Sequence, residues 1–108
     1  MRTIDVKDIQ KTVSELCIKA NRHLPESLEK KIRECSGIEQ SPTGKAVFDD
    51  LCDNIDAARE CDIAICQDTG MAIIFLQIGQ DVHFEGGNLY EAINKGVADG
   101  YTNGYLRC

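Results

Sequence analysis

The chain has 108 residues, of which 43% are apolar, and carries a formal net charge of −6. That length fits one modest domain with a small core of its own. The acidic balance removes the electrostatic motive for binding nucleic acid or an anionic membrane surface.

Val6, Ile9, Val13, Leu16, Cys17 and Ala20 recur at three- and four-residue steps. They predict an amphipathic first helix with Asp5 as its N-cap and an end near residues 21–23. Pro25 suits the first turn of a second helix, whose stripe is Leu28, Ile32 and Cys35, with Gly37 just past its end. Its basic cluster, Lys30-Lys31-Ile32-Arg33, reads as a solvated face. Ser41-Pro42 repeats the cap-then-proline logic for a third helix, with Val47, Phe48, Leu51, Cys52, Ile55 and Ala58 at helical spacing as far as about Glu60.

The pattern then changes. Ile63 to Ile65 is short and apolar, and Met71 to Ile78 is apolar on both faces and bounded by Gly70 and Gly79. The second run predicts a buried strand, and Val82 to Phe84 adds a short one after a turn. Asn88 followed by Glu91 resembles a capping arrangement. Leu89, Ile93, Val97 and Tyr101 then predict a closing helix of about 16 residues. The expected fold is α+β and helix-rich: three N-terminal helices, a small sheet around residues 63–84 of undetermined strand direction, and a C-terminal helix. Residues 1–108 are expected to form one domain. A natural domain seldom stops at a cysteine such as Cys108 on a helix end, so a longer parent is expected.

The start of the chain lacks the apolar segment of a signal peptide. Its longest uninterrupted apolar run, Met71 to Leu76, is far below the ~18 residues of a membrane span. A soluble, cytoplasmic protein is expected. Without a secreted context, Cys17, Cys35, Cys52, Cys61, Cys66 and Cys108 do not read as a disulfide framework. No CxxC pair is present, which excludes a zinc ribbon or thioredoxin-type motif. His23 and His83 read as surface or packing residues.

One segment carries chemistry: Cys66-Gln67-Asp68-Thr69-Gly70, a compact polar loop between two apolar stretches. Such loops hold ligands. The alternative is a turn that caps its own backbone through Asp68 and Thr69, with Cys66 as an apolar filler. Arg107, taken alone, reads as a helix C-terminal cation.

Cys66 to Gly70 resembles the signature of the class I (iron–sulfur) fumarate hydratases and the related tartrate dehydratases. The resemblance extends through Met71-Ala72 and Phe75, Ile78-Gly79-Gln80-Asp81-Val82-His83, Glu85-Gly86-Gly87, Glu91-Ala92-Ile93 and Gly104-Tyr105-Leu106-Arg107. Ser41-Pro42-Thr43-Gly44 is also similar. Ala64 departs from the family's usual proline, which bears on loop stiffness.

The resemblance implies a 4Fe–4S cluster held by three cysteines, with Cys66 matching the first ligand and the other two beyond this chain. Soft thiolates suit iron, and an open iron acts as a Lewis acid. Gln67 and Asp68 match substrate contacts, with Asp68 placed to move a proton at the leaving oxygen. Arg107 matches an arginine that binds a substrate carboxylate, for which its planar fork is suited. Cys61 inherits no role and is expected to be structural.

The implied activity is reversible hydration of fumarate to L-malate. Tartrate dehydration is the close rival, and a non-enzymatic subunit-packing module is the alternative from another class. The implied partners are fumarate or malate, the rest of the α region, and a β region or subunit. An uncovered Met71–Ile78 strand would also favour pairing with a second copy, giving a homo-oligomer. The isolated chain is expected to be inactive.

Overall fold

The computed structural model describes residues 1–107. Cys108, whose position at the chain end entered the expectation of a longer parent, lies outside the described residues. The order of elements is β1 (Arg2–Asp5), α1 (Val6–Arg22), α2 (Glu26–Ile38), α3 (Pro42–Cys61), β2 (Val82–Glu85) and α4 (Leu89–Asn103). The fold is therefore α+β and helix-rich, as expected. The chain divides into two compact units, one of residues 1–19 and 67–108 and the other of residues 20–66, with α1 running from the first into the second. No helix among the described residues is long and apolar enough to cross a membrane.

The first unit is built on β1, β2, α4 and the N-terminal part of α1. β1 pairs with β2 in parallel, with Arg2 opposite Val82 and Asp5 opposite Glu85. This sheet differs in place from the expected one. β2 lies where a strand is predicted. Residues 71–78, however, form no strand: they lie outside any ladder and are exposed throughout, with Met71 81% and Phe75 92% accessible. An apolar run shows that a segment is fit to be covered, and it does not show that the cover comes from its own chain.

Beyond β2, Gly86 has φ +88°, and a Cβ there would lie 2.8 Å from an oxygen of the Asp5 carboxylate. The chain can turn under Asp5 only without a side chain. Asp5 meanwhile accepts a hydrogen bond from the Lys7 amide at 2.9 Å, which caps the start of α1 as predicted. Asn88 caps α4 by accepting from the Glu91 amide at 3.1 Å.

α1 and α4 meet through backbone rather than bulk. The buried line on α4 is Ala92, Gly96 and Gly100, continued by Gly104, with Tyr101 beside it. It lies next to the predicted Leu89, Ile93, Val97 and Tyr101 stripe, whose first three members are half-buried. A Cβ at Gly96 would stand 2.6 Å from the Gln10 carbonyl oxygen, one at Gly100 2.8 Å from the Ser14 carbonyl oxygen, and one at Gly104 2.7 Å from Ile18 Cγ1. Val6 and Val13 supply the buried apolar contact from α1, and Gln10 donates to Asp99 at 2.8 Å along the rim. Burial also pushes the Cys17 thiol up from its ordinary pKa, in keeping with its role as a small hydrophobe against Gly100.

The second unit is a helical hairpin. α2 starts after Pro25 and runs through Gly37, past its predicted end, before the Glu39 amide closes it onto the Cys35 carbonyl at 3.0 Å. α3 follows its prediction closely: Ser41 accepts from the Gly44 amide at 3.3 Å and Pro42 occupies the first turn. Its core is thin, with Ile55 and Ala58 buried and Val47 and Leu51 largely exposed. Polar contacts also join the two helices. Glu29 receives Arg59 at 2.8 Å and Arg33 at 3.0 Å, and Arg33 also reaches Asp56 at 2.7 Å.

Two outcomes follow from this packing. Gly96→Ala and Gly100→Ala should each lower the denaturation midpoint, because overpacking costs about 1–3 kcal/mol and outweighs the helix-propensity gain of up to about 1 kcal/mol. Gly37→Ala meets nothing within 4 Å and should raise stability by roughly 0.5–1 kcal/mol. Urea titrations followed by circular dichroism compare the three.

The second outcome concerns acid. Hydrogen bonds from Arg59 and Arg33 hold the Glu29 carboxyl below its ordinary pKa. Its contribution is thus complete above the ordinary carboxylate pKa and is lost as pH falls through the lowered one. Glu29→Gln should be less stable than the parent at neutral pH, with the difference vanishing in strong acid. A pH series of melts measures it.

Candidate functional site

The Cys66–Gly70 loop is anchored on each side by contacts that fall on residues without obvious chemistry. Within the second unit, α3 ends with Asp62 in the left-handed region at φ 54° and with the Ile63 amide bonded to the Ala58 carbonyl at 3.1 Å. That 6→1 bond is the helix-terminating turn usually built around glycine, and aspartate is one of the few other residues that tolerates its geometry. Arg22 pairs with Asp62 at 3.2 Å. Ile65 is held at both backbone groups: its amide donates to the Asn21 carbonyl at 2.8 Å, and its carbonyl accepts from Asn54 Nδ2 at 2.8 Å. Cys66, the next residue, is exposed.

Within the first unit, the Thr69 amide donates to the Gln67 carbonyl at 3.0 Å, making a three-residue turn centred on Asp68. Gln67 and Asp68 are exposed, and Thr69 is buried. Thr69 Oγ1 donates to the Arg107 carbonyl at 2.9 Å, and the Thr69 carbonyl accepts a short hydrogen bond from the Tyr101 hydroxyl. Thr69 therefore does not cap its own loop: it joins the loop to the segment after α4.

That segment is shaped by a second helix-terminating turn. The Leu106 amide donates to the Tyr101 carbonyl at 3.0 Å and the Tyr105 amide to Thr102 at 3.4 Å, with Tyr105 at φ 54°. Leu106 and Tyr101 are both buried, the apolar contact that accompanies such turns. Arg107 emerges past the turn and is exposed.

The structure thus brings Gln67, Asp68 and the Arg107 backbone together. An amide, a carboxylate and a guanidinium, all exposed and carried by joined segments, are suited to an oxygen-rich anion with a transferable proton. The thiol of Cys66 is a soft donor on a loop and fits as one iron ligand. Among the described residues no group of three His, Cys, Asp or Glu side chains is placed to hold a metal ion, so the residues present fit as one ligand of a cluster and do not make up a set. Cys61 is exposed at the last turn of α3, and His23 and His83 are also exposed.

The residues that sequence reasoning passed over are Asn21, Asn54 and Tyr101 in its hydroxyl role. No pattern marks the two asparagines. Tyr101 carried a signal, since a tyrosine on a buried stripe needs a partner for its hydroxyl.

Comparison with known proteins places the chain in a family. The family model described as fumarate hydratase (Fumerase) matches residues 10–108. A curated relative from Methanocaldococcus jannaschii, named "Putative L(+)-tartrate dehydratase subunit alpha", is 33% identical over 90 residues. That match takes in 82% of this chain and 32% of the relative, so the chain spans about a third of the relative's length. The matched region contains the Cys66–Gly70 loop, α4 and Arg107, and the chain belongs to the fumarate hydratase (Fumerase) family.

Proposed function

We propose that this chain forms the N-terminal part of the α region of an iron–sulfur hydro-lyase that interconverts fumarate and L-malate. The observation that carries the reading is the Thr69–Arg107 hydrogen bond at 2.9 Å, which sets the Gln67-Asp68 turn beside the arginine segment. Arg107 binds one substrate carboxylate through its planar fork. Gln67 orients the substrate through its amide, and Asp68 holds or accepts the proton at the oxygen that leaves or arrives. Cys66 would hold one iron of a 4Fe–4S cluster, and that cluster, when bound, supplies a Lewis acid. The remaining cysteines and the base that acts at carbon are assigned to other parts of the enzyme.

A partner is part of this reading. Residues 71–78 expose apolar side chains, among them Met71, Ile73 and Phe75. A contiguous apolar stretch of that kind marks a contact surface. The relative is named as a subunit alpha, in keeping with a complementary β region or subunit. The same name also supports tartrate as the alternative substrate. Fumarate is preferred on the Met71-Ala72-Ile73 and Gly79-Gln80-Asp81-Val82-His83 segments.

With the β partner and the rest of the α region supplied, kcat/KM for fumarate should exceed that for L(+)-tartrate, and dominant tartrate turnover would overturn the substrate assignment. In that assembly Arg107→Ala should raise KM roughly 10- to 100-fold, the worth of a hydrogen bond to a charged group, with Arg107→Lys recovering only part. Reconstituted anaerobically with iron and sulfide, the 108-residue chain alone should keep no iron–sulfur absorption after desalting. A band that persists would show that the chain completes a cluster site.

A further inference from the structure

Resting on the reading of Gln67, Asp68 and Arg107 as substrate contacts, we propose that Thr69 and Tyr101 are positioning residues that hold the loop and the arginine segment at a fixed spacing. Thr69 is the buried member of a loop whose neighbours Gln67, Asp68 and Gly70 are exposed. It is engaged twice: its side chain donates to the Arg107 carbonyl at 2.9 Å, and its carbonyl accepts from the Tyr101 hydroxyl. Tyr101 in turn accepts the Leu106 amide at its own carbonyl, at 3.0 Å.

These three bonds close a ring. From Tyr101 it passes through its hydroxyl to Thr69, through the Thr69 hydroxyl to Arg107, and back along the chain to Leu106 and the Tyr101 carbonyl. In a closed ring the loop cannot shift without moving the arginine segment. The Tyr101–Thr69 bond is buried, so opening it leaves a polar group without water to replace its partner. The frame that carries the ring is stiff, because Tyr101 follows Gly100, whose missing side chain seats α4 on α1. Tyr105 supports the same conclusion. It holds the left-handed region at φ 54° without being glycine, a conformation that persists where the surroundings over-determine it. The buried Leu106 and the ring supply that constraint.

A purely structural role for Thr69 and Tyr101 would change stability alone. A positioning role also changes turnover while leaving each substrate contact chemically intact. The test uses Thr69→Val, Thr69→Ser and Tyr101→Phe in the full chain. Amide hydrogen exchange is measured on the chain, and fumarate kinetics on the assembled enzyme. Thr69→Val and Tyr101→Phe should speed exchange at residues 67–70 and 105–107 together while the middle of α4 stays protected.

The same two variants should lower kcat on the order of 10²-fold, the effect of a misplacement of about 1 Å, and raise KM less than Arg107→Ala does, since the guanidinium is kept. Thr69→Ser keeps the hydroxyl and should restore both readouts. Wild-type kcat in Thr69→Val would overturn the proposal, as would equal impairment of Thr69→Ser and Thr69→Val, or exchange that accelerates throughout the first unit. A wild-type assembly that turns over no dicarboxylate would sink the functional reading instead, and the paired exchange response would then decide the ring by itself.

Discussion

The backbone-to-backbone approach of α1 and α4 is the constraint on which the first unit depends. At Gly96 and Gly100 the α1 carbonyl oxygens of Gln10 and Ser14 occupy the space a Cβ would need. Contact at that range brings many weak attractions into play at once, and it fixes the rotation of α4 about its own axis, because only one line of the helix can approach so closely. Once that rotation is set, Tyr101 must point into the unit, and the turn that ends α4 must leave in one direction. The parallel β1–β2 pair then ties the chain's start to the segment that leads into α4.

The polar contacts inherit their geometry from this packing. A hydrogen bond from a tyrosine hydroxyl to a loop carbonyl contributes little net stability by itself, about 1 kcal/mol. Its value is directional: a rigid donor on a fixed helix selects one of the many conformations open to a short polar loop. The chain combines two kinds of constraint. Apolar and backbone packing places α4, and a few buried polar groups carry that placement to the exposed side chains of Gln67, Asp68 and Arg107. The second unit works in the opposite proportion. Its buried core is little more than Ile55 and Ala58, and its helices are joined by the Glu29 network at a half-exposed surface, where each ion pair is weak.

Local signals were legible where their cause was local. Ser41-Pro42 and Asn88 announced their helix starts because a cap depends on residues three apart. Gly37 misled because a glycine that could end a helix can also be tolerated inside one, and nothing within the motif decides between them. β1 escaped notice because its four residues, Arg2 to Asp5, have no alternation to read, and a parallel partner lies far along the chain. Met71 to Ile78 failed in the other direction. A continuous apolar run reads as buried, but burial is a property of the finished assembly. The candidate residues were singled out through their resemblance to a family motif, whereas the ring that joins their segments was not, since hydrogen bonds across distant residues leave no periodic trace.

The glycines of α4 show why such a ring needs a stiff frame. Glycine in a helix interior costs up to about 1 kcal/mol relative to alanine, so two such residues, Gly96 and Gly100, weaken α4 as an isolated helix. Their conservation of space is useful only when α1 is in place, which makes the order of α4 conditional on tertiary contact. The same condition then applies to everything that hangs from its C-terminal end: the turn at Tyr105, the buried Leu106, and the Arg107 carbonyl that receives Thr69. The placement of residues 67, 68 and 107 is therefore set together with the α1–α4 contact and lost together with it. A substitution at Gly96 or Gly100, distant from the polar loop in sequence, in this sense acts on the geometry of that loop.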